Sequence, residues 1–428
     1  MLRAWPFLLC GIFLASTTAL AQEAPPTDPA LARLSEETRA KAENLARRLR
    51  EQRMTLWSMP PEGNLIRAED ELTTFCTASD LVEIMGSAGE LRQGAFALLT
   101  GARNRDLTRD DVDRLRSYFT IHDPRTTWKG QWAAGVLARN EALGVPALRK
   151  DLKNEEDHFV SVYAACVLAE RDPNLDGDLR RTARLVLLQA LANPDDTARM
   201  AHNAVQPLEP WMVGWLTDRL SAAPMDAPLW PQGTAVLATF RGHEHAAALR
   251  TVFLRALAHP TAYTRRSAVG GIARAGLTRD DLDLCRKILE DDDPHVRGSL
   301  YGALRDWGAA WAAPLMIDGL KDTLPDNVAA CARGLARLKY KSAVPDLVAA
   351  LRRAPTGPKP NREFGPYRAV GEVLAQLTRV PFDFALVTHP EGGPRFHATV
   401  IDNRDGVYRR EAARVFKWWE EVGSHQNW

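Results

Sequence analysis

The chain has 428 residues, 45% hydrophobic and 25% charged, with 55 Lys and Arg against 54 Asp and Glu. This is the balance of an ordinary folded protein with ample apolar surface to bury, and it argues against a disordered or membrane-embedded chain. Near-neutrality also argues against nucleic acid as a partner, because phosphate binding draws its affinity from clustered Lys and Arg that release counterions.

The opening "MLRAWPFLLCGIFLASTTALA" has a basic start at Arg3, an apolar run from Trp5 to Ala15 and a small-residue Ala19-Leu20-Ala21 cleavage signal. Residues 1–21 are predicted to be a secretory signal peptide, so the mature protein is expected to be exported, whether periplasmic, secreted or at the cell surface. The run is short of the roughly 20 residues that span a bilayer, and no later stretch is long and apolar enough, so no membrane span is expected after cleavage. Cys10 follows the bulky Leu9, unlike a lipid-modified cysteine, which follows a small residue. Losing Arg3 takes 55 bases to 54 against 54 acids, leaving a neutral mature chain. Cys76, Cys166, Cys285 and Cys331 remain. Their even count invites disulfides in an oxidising compartment, but "VYAACVLAE" and "NVAACARGLARL" are apolar helical settings that suit a buried free thiol.

Residues 22–77 read as a Pro-rich spacer and a helical arm, "LARLSEETRAKAENLARRLREQRM", without a strong apolar face. From Ala78 to Arg353 apolar residues recur at helical spacing, with breaks every 12 to 18 residues. The breaks are periodic. Turn prolines fall at Pro194, Pro228, Pro260, Pro294 and Pro325, at intervals of 34, 32, 34 and 31 residues, and Pro124 lies 70 residues, or two units, before Pro194. Pro146, Pro210, Pro314 and Pro345 open second helices, where proline suits the first turn. A helix pair of about 33 residues cannot bury its apolar face alone, so neighbouring pairs must stack.

The segments "DDDPHVRGSLYGALRDWGAAWAAPLMIDGLKD" and "LPDNVAACARGLARLKYKSAVPDLVAALRR" resemble tandem HEAT repeats of the short bacterial, PBS-lyase-HEAT-like type. The resemblance rests on the Asp-Pro-x-Val-Arg turn, the Ala-rich first helix and the Val-Pro-x-Leu second helix. It covers roughly residues 78–353 and implies an all-α, α-α superhelix, a HEAT-like solenoid. Residues 354–428 read as an irregular C-terminal cap. They hold a first helix around "GPYRAVGEVLAQLTRVPFDF", a loop insertion "ALVTHPEGGPRFHATVIDNRDGV" and a closing helix with Trp418 and Trp419.

The acidic run "GLTRDDLDLCRKILEDDDPHV" invites a metal or acid-base reading. "DLTRDDVDRLRSYF" repeats its first half, and Thr108 and Thr278 each stand three residues before an acid. That spacing is a capping box with Asp for Glu, and Asp291 to Asp293 fall in the turn before Pro294. The calcium candidate is "DPNLDGDLRRTA": Asp172, Asn174, Asp176 and Asp178 resemble half an EF-hand loop, but Ala183 takes the place of the bidentate carboxylate, and a turn with an N-cap is preferred. Trp128/Trp132, Trp211/Trp215 and Trp307/Trp311 are spaced like sugar platforms, yet they occupy different repeat positions, which favours packing. His243, Glu244 and His245 lack the i, i+4 spacing of two ligands on one helix face. His158, His202 and His259 stand singly.

No catalytic residue, metal or cofactor is therefore assigned. The expectation is a non-enzymatic scaffold that binds a protein along second helices, through side chains such as Arg149, Arg184, Asp218, Arg250, Asp283, Arg286, Asp318 and Lys321. Two alternatives stay open. One is a carbohydrate-binding protein or enzyme using His389, His397, Asp402 and Asp405 in the C-terminal insertion. The other is a calcium-stabilised structural solenoid.

Overall fold

A computed structural model describes residues 31–56, 67–87, 91–120, 127–154, 157–171, 177–242, 245–354, 364–382, 384 and 398–428. The described residues are all-α, with 21 α-helices, short 3₁₀ turns and no strand. The chain divides into two units, residues 1–175 and 176–428.

The first unit holds α1 (Glu36–Leu56), α2 (Ala68–Phe75), α3 (Ala78–Met85), α4 (Arg92–Leu99), α5 (Arg109–Ser117), α6 (Thr127–Leu137), α7 (Gly144–Asp151) and α8 (His158–Arg171). Helices α4, α6 and α8 stack in sequence as first helices, and α2 packs on α4 in the same row. Two capping boxes start second helices here: Thr77 and Asp80 at α3, Thr108 and Asp111 at α5. In each, the threonine hydroxyl accepts the third-residue amide while the aspartate accepts the threonine amide, satisfying two donors that a helix start leaves free.

A second repeated phrase is Ala-Arg-Asn, at residues 102–104 and 138–140. Arg103 donates to the Thr73 carbonyl at the end of α2's turn and Arg139 to the Thr100 carbonyl after α4. Asn104 donates to the carbonyls of Leu99 and Val136, and Asn140 donates to the carbonyl of Asn104. Each connection is thereby stitched to the one before it.

The second unit holds α9 (Gly177–Ala190), α10 (Asp196–Ala204), α11 (Pro210–Ala222), α12 (Leu229–Leu237), α13 (Ala246–Ala256), α14 (Ala262–Ala275), α15 (Leu282–Leu289), α16 (Pro294–Trp307), α17 (Ala313–Gly319), α18 (Pro325–Arg337), α19 (Val344–Arg352), α20 (Phe364–Thr378) and α21 (Ala398–Glu421). First helices α10, α12, α14, α16, α18 and α20 each pack on the next, and second helices cover them. Small residues allow the approach: a Cβ at Gly271 would come 2.4 Å from the Phe253 ring, whereas Gly270 faces open space. The second half of the expected loop insertion is helical, since α21 already begins at Ala398.

Between repeats, arginines clamp the turns. Arg265 meets Asp291 with two hydrogen bonds, and Arg297 meets Asp322 likewise. Arg255 caps the end of α11 through the carbonyls of Leu220, Ser221 and Ala223, and Arg353 donates to Leu320 after α17.

Candidate interaction edge

The acidic run singled out from the sequence is taken up by the fold itself. Thr278 and Asp281 form the expected box at the 3₁₀ turn before α15, and Asp281 also holds Arg250 of α13. Burial alone would raise the Asp281 carboxyl, but the Thr278 amide and Arg250 outweigh it and hold the carboxyl below its usual range. Asp291 pairs with Arg265, and Asp293 caps α16 by accepting the amides of His295 and Val296. The acidic run is thus divided among a cap, an ion pair and a turn.

Of the second-helix candidates, Arg184 is held by Glu209 and by the Pro207 carbonyl, and Arg250 by Asp281. Asp283 pairs with Arg286 and Asp318 with Lys321 on exposed faces, and Arg149 and Asp218 are exposed. Asp178 lies exposed in the first turn of α9, while Asp172, Asn174 and Asp176 lie outside the described residues. So do His243, Glu244, His389 and His397, and the side chains of Asp402 and Asp405. Among the described residues, no three His, Cys, Asp or Glu side chains converge as a metal site would require, and no helix is long and apolar enough to cross a membrane.

Cys76, Cys285 and Cys331 are buried free thiols, and Cys166 is half-buried with no disulfide. Burial pushes Cys76 up to about 12 and Cys285 up to about 11, so neither supplies a thiolate at neutral pH.

The tryptophans separate into two kinds. Trp132 stacks at 4.7 Å from Phe96 and edge-on to Trp128, with the Arg92 guanidinium 4.6 Å from the Trp128 ring. Trp211 donates to Glu209, and Trp215 lies under Arg219. Trp418 meets Phe382 and Trp428 edge to face. These are packed, as the scattered positions predict. Trp307 departs from that expectation, because it is 44% exposed.

Trp307 ends α16 and lies against the connection after α14. A Cβ at Gly276 would come 3.2 Å from its Cη2. Gly276 also has φ +107, a backbone open to glycine. The next connection repeats the relation, since a Cβ at Gly308, φ +63, would come 3.2 Å from Nε of Arg337 at the end of α18. The ends of α14, α16 and α18 therefore form one continuous edge.

This edge is basic and aromatic. Arg274, Arg279, Arg337, Lys339, Lys341 and Arg379 are exposed along it, and none of them forms an ion pair with a carboxylate among the described residues. Trp311 and Tyr340 are half-buried beside them. The carboxylates there are Asp280, Asp346 in the first turn of α19, and three that are paired, Asp281 with Arg250, Asp283 with Arg286 and Asp306 with Arg305 at 2.8 Å; Ser342, next to Lys341, donates to the Trp428 oxygen at 3.4 Å. The opposite edge carries the acids Asp291, Asp292, Asp293 and Asp322. On that edge Asp291 and Asp322 are paired with Arg265 and Arg297, whereas the cations of the Trp307 edge stand outside such pairs. The signal becomes legible once the ends "RAGLTR", "RDWGAAW", "RLKYKS" and "LTRV" are aligned on the repeat.

No protein-family model and no curated protein matches the chain. Among solved structures it is similar to YibA of E. coli, at 15% identity and TM-score 0.46, covering 67% of this chain and 97% of that one. It is also similar to a chain in the structure of Kap95p bound to RanGDP, at 11% identity and TM-score 0.48, covering 83% of this chain and 52% of that one. The chain is a helical-repeat protein by its own packing, first helix on first helix through each unit.

Proposed function

We propose that the protein is an exported HEAT-type scaffold that binds another protein. The observation that carries the reading is the edge around Trp307, where a large exposed aromatic ring stands in the same row of connections as six exposed arginines and lysines. Trp, Tyr and Arg dominate the binding energy of protein interfaces, and a rigid stack of helices presents them without an ordering penalty. Export is supported by the sequence of residues 1–21.

Two measurements test the proposal. Mass spectrometry of the mature protein is expected to find Gln22 at its N-terminus. Affinity capture from the native compartment, compared between the wild type and Trp307→Ser, is expected to yield a partner that the variant retains poorly. Turnover of a glycan by the purified chain, with no partner retained, would contradict the scaffold reading.

A further inference from the structure

We infer that the edge running from the end of α14 to the end of α20 is a docking surface for an extended acidic protein segment that seats one apolar side chain on Trp307. The inference rests on the scaffold reading and names the chemistry of its partner.

Four of the cations stand where the fold itself gains nothing from them. In the described residues, positive φ occurs at four positions, Gly276, Gly308, Lys339 and Arg379. Each follows the end of a first helix, α14, α16, α18 and α20. The first two are glycines, the residue this backbone favours. The next two are Lys339 at φ 53 and Arg379 at φ 62, long cationic side chains held in a conformation that L-residues adopt at a cost. Arg279 and Lys341 open the 3₁₀ turns that lead into α15 and α19. A cation at a helix start opposes the positive end of the dipole. Only Arg274 and Arg337, in the last turns of α14 and α18, complement a helix end.

Helix dipoles do not decide the sign of this edge. Each repeat brings the negative end of a first helix and the positive start of a second helix to the same place, so the two largely offset each other. What remains is side-chain charge, and among the described residues it is positive, six exposed cations against Asp280 and Asp346 once the ion pairs are set aside. An anionic partner would satisfy it, and the exposed Trp307 ring supplies an apolar seat within the same row. With helices about 10 Å apart, four repeats span roughly 30 Å, which about ten extended residues at ~3.3 Å each would cover.

The probe is a fluorescein-labelled peptide of about that length, built of Glu and Ser with one central Phe, titrated by anisotropy against the full chain. Its Gln-for-Glu counterpart, heparin and a single-stranded oligonucleotide serve as comparisons. The acidic peptide is expected to bind, to weaken with salt, and to lose about tenfold or more in affinity in the Lys339→Gly/Arg379→Gly variant. That variant is expected to melt at the same temperature or higher, because glycine suits both backbones. Trp307→Ser is expected to remove only the gain due to Phe.

Three results overturn the inference. The Gln peptide binds as well as the acidic one; the glycine variant melts lower and binds unchanged, which makes the cations structural; or heparin or the oligonucleotide binds the edge while the peptide does not. Failure of the peptide with a captured partner that maps to other helices leaves the scaffold reading standing. Failure of the peptide with no captured partner overturns both.

Discussion

Arg265 grips Asp291 with two parallel bonds, Nε to Oδ2 at 2.7 Å and Nη2 to Oδ1 at 2.9 Å, and its Nη1 reaches the carbonyls of His259 and Pro260. Arg297 makes the same arrangement one repeat later, with Asp322 and the carbonyls of Asp291 and Asp292. One guanidinium thereby ties the turn before its own helix to the turn before the next first helix. Asp291 accepts the amide of Asp293 and Asp322 accepts that of Leu324, so each carboxylate also shapes its own turn.

Removing Asp291 leaves a largely buried guanidinium without its partner. Asp291→Ala is expected to lower stability by about 2–3 kcal/mol in urea unfolding, and Arg265→Lys to fall short of wild type because a point charge cannot fill a two-pronged site.

Asn140 closes the connection between α6 and α7 by accepting the amides of Leu143 and Gly144 while donating to Asn104. It is 5% exposed, so water cannot replace these bonds. Asn140→Ala is expected to cost about 2–3 kcal/mol and to speed amide exchange at Leu143 and Gly144, and Asn140→Asp to restore the accepted bonds but not the one to Asn104.

Two histidines set a pH dependence. Burial lowers both His202 and His259 from 6.5. Nδ1 of His259 accepts the Thr261 amide at 3.0 Å, and Nδ1 of His202 is buried without a hydrogen-bond partner, so both sites suit the neutral ring. Arg265 adds repulsion against a charged His259. In the unfolded chain these rings take up protons near 6.5, before the folded ones do. Their contribution is therefore complete above that pH and is lost as pH falls from it towards the folded values. Urea midpoints are expected to drop between pH 7.5 and 5.5, and to drop less in His259→Gln. Below that range a second loss is expected, because Asp291 and Asp322 are held under their ordinary 3.8, Asp291 first by its Arg265 bond and Asp322 by Arg297 against its burial.

Much of this architecture is legible in the sequence, and for a physical reason. Prolines at helix starts and Thr-x-x-Asp boxes are local devices, set by backbone needs within four residues, so Pro294, Thr108 and Thr278 mark their elements directly. The role of Arg265 depends on a carboxylate 26 positions away, which no local pattern reveals. Arg184 and Arg250 read as surface charges for the same cause, and prove to be held across the repeat. Trp307 reads as packing because the three tryptophan pairs occupy different repeat positions, and the other two pairs do pack. Its exposure follows from Gly276, which offers the ring a flat backbone to lie on and no side chain to cover it.

Hydrogen exchange on the complex with the captured partner distinguishes the Trp307 edge from the C-terminal insertion. Slowed exchange is expected in peptides covering residues 274–281, 305–311 and 337–342, the connections that carry Arg274, Trp307 and Lys339. Protection confined to residues 385–405, around His389, His397 and Asp402, would contradict it and place the working surface in the C-terminal insertion.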